Sequence, residues 1–383
     1  MAIAVVALWV GALIKKRVAV LEHFCIPSPV IGGLLFALIS LAGHESGLFE
    51  WKFDSTMKEV FMVLFFTSVG FQANLKTIRK GGKPLILLVL LISVMIVVQN
   101  LAAIGTAKSM GLENLIGMTA GSIPMIGGHG TSGAFGPILE SMGLVGATTH
   151  CTAAATFGLI AGSLIGGPIA ERLIERGNLL STIKETGDDF GETPDKEHKH
   201  SSYTTAVFQM IIATGLGTVM SYALSLTGLT FPIYIGSMIM AAIIRNYSEY
   251  THRIELSMHQ INDVGSICLS MFLGIAMITL ELWQLAELAL PLLVMLTVQL
   301  VIMVVCAYFL VFRVMGKDYD AAVITAGFCG FGMGATPNAM ANMQAICDKY
   351  GPSIKAYLLI PIVGSMFTDF INSIIITFFI NIL

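Results

Sequence analysis

Charge is scarce in this chain. Of its 383 residues only 12% are Asp, Glu, Lys or Arg, against 55% hydrophobic residues, and the mean hydropathy is +0.82. Soluble domains carry roughly 25% charged residues, so the composition excludes an ordinary soluble domain and gives a polytopic, all-α membrane protein. A net charge of −3 points to no nucleic acid or other strongly charged partner. The six cysteines form no Cys-x-x-Cys pair and mostly fall in apolar stretches, which reads as small buried hydrophobes rather than a redox or zinc centre. No P-loop or other nucleotide motif is present, so the work of any transport falls to an ion gradient. A cleavable signal pattern is also missing. Met1–Ile14 is apolar from its first residue, with the basic cluster behind it. Fourteen residues reach only about 21 Å as a helix, which leads us to expect the true N-terminus upstream.

The apolar segments divide into ten spans: Met1–Ile14, Val30–Ala42, Val60–Asn74, Pro84–Ala107, Ala147–Ala170, Tyr203–Leu226, Phe231–Ile244, Ile261–Leu280, Leu285–Val314 and Ala356–Leu383. A polar linker, 171–202, separates an N-terminal half (1–170) from a C-terminal half (203–383). The halves echo one another. Pro29-Val30-Ile31-Gly32-Gly33 resembles Pro232-Ile233-Tyr234-Ile235-Gly236, and each half ends with a long span, a glycine-broken hairpin and a final span. Five spans per half is an odd number, so the halves have opposite orientations, an inverted-topology repeat. With both termini outside and the linker cytoplasmic, all but Lys52, Lys58 and Lys108 of the 21 basic residues fall at cytoplasmic ends, as the positive-inside rule demands.

The two interruptions carry the functional signal. Gly127-Gly128-His129-Gly130-Thr131-Ser132-Gly133 lies in a re-entrant hairpin at about 114–140, and Gly332-Met333-Gly334-Ala335-Thr336-Pro337-Asn338 lies in one at about 320–348. A glycine run of the first kind is expected to break a helix, at about 1 kcal/mol per glycine relative to alanine. Paired breaks in matching halves mark a transporter's binding site. Helix N-termini offer N–H groups to a carboxylate, and no arginine lies mid-membrane to share that task. The substrate-binding candidates are Gly128, His129, Gly130, Thr131, Ser132, Gly332, Gly334, Thr336, Asn338 and Asp369. The candidates for Na⁺, the coupling ion, are Ser122, Thr131, Thr336, Asp369 and Asn372, whose oxygens suit a hard cation. Asp369 and Asn372, three apart, share a helix face, and a carboxylate inside a span is functional by default. His129 has a structural reading as well, as a hydrogen-bonder at the turn. Gln99, Asn100 and Gln299 read as interhelical packing, and Asp54, Asp318 and Asp320 as caps near the interfaces. Glu197, His198 and His200 form a weak metal motif in the linker. Ser132 and His129 lack a third orienting group, so the chain reads as no enzyme. No cofactor is called for beyond Na⁺.

At the hairpins the sequence resembles the bacterial sodium/glutamate symporter family. The residues that carry this are Gly121-Ser122, Gly127–Thr131, Thr156-Phe157-Gly158-Leu159 and Gly166-Gly167-Pro168, then Met315–Ala322, Cys329–Gly332, Gly334–Pro337, Ala341–Ala345 and Phe367-Thr368-Asp369. The chain departs from the family's pattern at Ile126, Ser132, Phe328 and Asn338. The resemblance implies Na⁺-coupled uptake of L-glutamate across the bacterial inner membrane by a homodimer. In each subunit a mobile unit carrying both hairpins would slide past a fixed one, an elevator. Aspartate or another dicarboxylate, and an Na⁺/H⁺-type exchanger without an organic substrate, are the alternatives.

Overall fold

The computed structural model describes residues 1–24, 26–54, 56–76, 82–182, 202–227 and 231–383. The linker residues Glu197, His198 and His200 therefore lie outside the described residues. Among those described there is no strand. The helices are α1 (Ala2–Arg17), α2 (Ala19–His23), α3 (Ser28–Glu45), α4 (Thr56–Gln72), α5 (Gly82–Ser109), α6 (Asn114–Met118), α7 (Ser122–Met125), α8 (Gly128–Ser141) and α9 (Ala147–Gly177). After the linker come α10 (Tyr203–Ser225), α11 (Ile235–Thr251), α12 (Met258–Ile278), α13 (Ala289–Met315), α14 (Tyr319–Gly332), α15 (Thr336–Tyr350) and α16 (Ile354–Ile382). Seven of them, α3, α5, α9, α10, α12, α13 and α16, are long and apolar enough to cross a membrane. The other three segments read as spans are α1, α4 and α11, of 16, 17 and 17 residues. They reach about 24–26 Å, short of a hydrocarbon core near 30 Å.

Several ends differ from the sequence reading. Helix α3 extends beyond Val30–Ala42 at both ends. Its start is helped by Pro29, whose fixed φ suits a first turn. Helix α9 continues past Ala170 to Gly177, where left-handed Asn178 stops it. That extension is held to α15, because Lys349 Nζ pairs with Glu171 at 2.9 Å and the Tyr350 hydroxyl donates to Glu175 at 3.3 Å. Asp318 does cap a helix, accepting from the Ala321 N–H at 2.8 Å.

The helices pack as two groups. In the first, α1 lies against α3, α10 against α11, and α4 and α12 lie side by side between those pairs. Glycine sets these approaches. A Cβ built at Gly32 would stand 1.7 Å from the Ala7 carbonyl oxygen, and one at Gly236 would stand 2.3 Å from that of Gly217. Across the middle, a Cβ at Gly70 would stand 2.2 Å from the Met238 carbonyl oxygen, and one at Gly33 would overlap Met277. Apolar lipid tails provide no hydrophobic drive between helices, so close backbone approach of this kind supplies the contact. The second group is α5–α9 with α13–α16, in which α9 touches α7 and α8 of the first broken segment and α14 and α15 of the second.

The expectation that the Gly127–Gly133 run breaks the helix is corrected here. Helix α8 begins at Gly128 and carries Gly130, Gly133 and Gly136 inside it. Packing overrides propensity: a Cβ at Gly133 would meet the Phe272 ring at 2.8 Å, and one at Gly136 would meet Thr148 Cα at 2.6 Å. The breaks fall on either side of α7 instead, at 119–121 and 126–127, and in the second segment at 333–335.

Gly32→Ala is expected to destabilise the protein by about 1–3 kcal/mol through overpacking. Gly105→Ala, whose added Cβ meets nothing within 4 Å, serves as the neutral control. Thermal unfolding of both variants in detergent measures the difference, and equal melting temperatures would count against glycine-set packing of α1 on α3.

Candidate functional site at the helix breaks

The two breaks meet. Gly128 has φ +57°, a conformation glycine adopts freely, and a Cβ there would lie 3.2 Å from the Gly334 carbonyl oxygen. Helix α9 closes over the junction, since a Cβ on its Gly158 would stand 2.2 Å from the Met333 carbonyl oxygen and 3.2 Å from Met125 Cε. Gly128 and Gly334, both buried, are thus brought to one place in the second helix group, and the partly exposed first turn of α15 follows directly.

Ser122, the first residue of α7, is held from both sides. Its N–H donates to Asn100 Oδ1 at 2.8 Å, and its carbonyl accepts from Asn372 Nδ2 at 3.1 Å. Ser122, Asn100 and Asn372 are all fully buried. Three of their polar atoms have no protein partner: Ser122 Oγ, Asn372 Oδ1 and Asn100 Nδ2. Unsatisfied buried oxygens call for a ligand or water, and a hydroxyl with an amide oxygen suits a hard cation. Asp369 lies one turn before Asn372 on α16, directly after a π-helical stretch, Val363–Thr368. Stretches of this kind recur at functional sites. Its half-buried carboxylate makes no hydrogen bond or ion pair among the described residues. Near it, Tyr234 is stacked on Phe66 at 3.8 Å and lies with its hydroxyl 3.4 Å from Ser373 Oγ.

The other candidates separate into two kinds. His129 is buried and its Nε2 lies 3.0 Å from Thr156 Oγ1 on α9, so its ring is oriented by that helix. Thr336 faces α16, with its Oγ1 2.7 Å from where a Cβ of Gly364 would lie. Ser132 donates to the Cys151 carbonyl at 3.2 Å, one turn further along α8 and away from the breaks. Asn338 uses its amide as a strut to α9, with Nδ2 2.9 Å from the Leu159 carbonyl and 2.6 Å from Ser163 Oγ. No hydrogen bond joins Thr131 or Thr336 to Ser122, Asn372 or Asp369 among the described residues. Gln99 and Asn100, read above as packing residues, turn out to hold the breaks themselves, with Gln99 Nε2 donating to the Gly332 carbonyl at 2.9 Å.

A separate cavity of about 350 Å³ lies at the far end of α8, where it turns into α9. Asp54, Lys58, Glu140, Thr149, Glu281 and Gln284 line it, so it draws on both helix groups. Burial raises the Glu281 carboxyl above its usual range, and the Glu140 and Glu50 carboxylates add to the effect.

Asn338→Ala is expected to lower thermal stability by about 1–3 kcal/mol, because it removes the buried amide that bonds the Leu159 carbonyl and Ser163 Oγ. The melting temperature in detergent measures this, and a variant as stable as the parent would remove Asn338 from the strut role.

Known proteins agree with the resemblance drawn from the hairpin motifs. The sodium/glutamate symporter family model matches residues 1–352. A sodium/glutamate symporter of Haemophilus influenzae is 37% identical over 380 residues, covering 97% of this chain and 94% of that protein. One from Escherichia coli is 38% identical over 379 residues with the same coverage. With paired helix breaks, buried unsatisfied oxygens and similarity along nearly its whole length, the chain belongs to the sodium/glutamate symporter family.

Proposed function

We propose that this protein is a secondary active transporter of the bacterial inner membrane that takes up glutamate with Na⁺. The observation that carries the reading is the meeting of the two breaks beside the unpartnered oxygens of Ser122 and Asn372. In this reading Na⁺ is held by Ser122 Oγ, Asn372 Oδ1 and the Asp369 carboxylate. A glutamate carboxylate lies at the first turns of α8 and α15, among Gly128, His129, Gly130, Thr131, Gly334 and Thr336. Asp369 stands between the two and faces the ammonium group or the cation. Ser132 and Asn338 support the site through α9 rather than touching the substrate.

The ten spans then form two inverted five-span repeats, 1–170 and 203–383, joined by a cytoplasmic linker, with both termini outside. The segments α6–α8 and α14–α15 are re-entrant hairpins entering from opposite sides. The recurring order of elements, in each half a long helix (α5, α13), a broken segment and a final long helix (α9, α16), supports this arrangement. Both hairpins belong to one packing group, which supports an elevator in which α5–α9 and α13–α16 slide past α1, α3, α4 and α10–α12. The cavity at Lys58 and Glu140 lies on the seam between the groups and would be the outer aqueous entrance. Helix α10 turns Phe208, Ile211, Ile212, Val219 and Tyr222 outward, a face for lipid or for the second subunit of a homodimer.

Glutamate carries one net negative charge, so one Na⁺ makes the cycle electroneutral and two make it carry one positive charge. That charge is worth about 2.3 kcal/mol per 100 mV, and the response of uptake to an imposed potential reads the stoichiometry.

The test is uptake of labelled L-glutamate into proteoliposomes, with and without an inward Na⁺ gradient. Wild type is expected to accumulate glutamate only with the gradient, and Asp369→Asn to lose that accumulation. Folded wild type that ignores the gradient would sink the proposal. Thermal protection by Na⁺ but not by glutamate or another dicarboxylate would favour the ion exchanger, since a ligand stabilises the state that binds it.

A further inference from the structure

The two breaks are tied to adjacent residues of one helix. On α5, Gln99 Nε2 donates to the carbonyl of Gly332, the last residue of α14, at 2.9 Å. The next residue, Asn100, accepts at Oδ1 from the N–H of Ser122, the first residue of α7, at 2.8 Å. Both side chains are fully buried. The polarities are opposite and chemically matched: a helix end has an unused carbonyl and takes a donor, while a helix start has an unused N–H and takes an acceptor. Space at this point is tight, because a Cβ at Gly121 would stand 2.5 Å from Asn100 Oδ1. Ser122 is therefore both bonded to Asn100 and packed closely against it. Gln99, one peptide unit from Asn100, holds the Gly332 end of the second break. The outer half of each amide, Gln99 Oε1 and Asn100 Nδ2, has no hydrogen-bond partner among the described residues.

We infer that Gln99 and Asn100 are positioning residues that couple the two breaks, so that Na⁺ at the Ser122 side and the acidic substrate at the Gly334 side bind cooperatively. The inference rests on the transport reading above and adds the path of coupling. Coupling between two ligands is reciprocal: the factor by which Na⁺ tightens glutamate equals the factor by which glutamate tightens Na⁺.

The experiment is calorimetric titration of glutamate into the purified full chain at low and at saturating Na⁺, with choline replacing Na⁺. In wild type, Na⁺ is expected to tighten glutamate binding. Gln99→Met removes the donor to Gly332 at nearly constant volume, and Asn100→Leu removes the acceptor for Ser122. Each is expected to cut the Na⁺-dependent gain by roughly tenfold, within the usual range of coupling, and either variant alone suffices if the other does not fold. Gln299→Leu is the control. It deletes an equally buried interhelical bond, from Gln299 Nε2 to the Gln99 backbone carbonyl at 2.8 Å, yet leaves both ties to the breaks intact, so it should keep the gain. An undiminished gain in Gln99→Met and Asn100→Leu, or an equal loss in Gln299→Leu, overturns the inference and leaves the transport reading standing. Folded wild type that binds no glutamate at any Na⁺ concentration overturns both.

Discussion

Backbone N–H and C=O groups freed by a helix break have no water to turn to inside a membrane, and each one left unpaired costs several kcal/mol. The structure meets that constraint with side-chain amides. Asn100 takes the N–H of Ser122 and Gln99 takes the C=O of Gly332, while Asn372 adds a donor to the Ser122 carbonyl that Ile126 and Gly127 already serve. Asn338 and Asn342 tie α15 to the carbonyls of Leu159 and Gly162 on α9. An amide suits this work because it carries both a donor and an acceptor without a charge to bury. Carboxylates and lysines are correspondingly rare in the interior, which makes Asp369 conspicuous.

Close approach is the second requirement. An amide side chain reaches a neighbouring helix's backbone only when the two helices nearly touch. Gly162 and Gly166 of α9 supply that for Asn342: a Cβ at Gly166 would stand 2.2 Å from Asn342 Nδ2. Gly121 supplies it for Asn100. The glycine content of this chain is thus tied to its polar bonds, since replacing the glycine would push the amide off the carbonyl it serves. Stability and site geometry rest on the same residues, and a substitution at one of these glycines would disturb both.

Much of this was legible in the sequence. The long apolar runs gave the helices, and the family motifs marked both breaks, Ser122 and Asp369. What local pattern could not reveal was which partner each polar residue takes. Asn100 and Ser122 are 22 positions apart, Asn338 and Leu159 are 179 apart, Gln99 and Gly332 are 233 apart, and Ser122 and Asn372 are 250 apart. Bonds at such separations leave no periodicity behind. The glycine run was misread for a related reason. Propensity treats Gly130, Gly133 and Gly136 as helix breakers, whereas Phe272 and Thr148 require their lack of a side chain within an intact helix.

The chemistry left over after these bonds differs between the two breaks, and that difference supports the division of labour proposed for the ligands. At Ser122 the backbone N–H is already taken by Asn100, so what remains open is oxygen: Ser122 Oγ and Asn372 Oδ1, one turn from the Asp369 carboxylate. Among the described residues Asn100 Nδ2 is the one amide donor left open beside them, and two neutral oxygens one turn from a carboxylate favour a cation. At the start of α15 the balance is reversed. Ala335 makes no side-chain cap, Pro337 brings no N–H, and the carbonyl of Ala335 is already engaged by the N–H groups of Asn338 and Ala339. What remains there is the N–H of Thr336 at the positive end of a 15-residue helix, and an exposed donor in a helix's positive field favours an anion. The break after α7 touches the second through Gly128 and Gly334, and Ser122 lies at the other end of that four-residue helix, so the opposite charges they favour would lie one short helix apart. In a medium of low dielectric each charge alone is expensive to bury, whereas the pair attracts strongly. Binding both together is therefore easier than binding either alone, and the breaks need only be held in register for the substrate to depend on the ion.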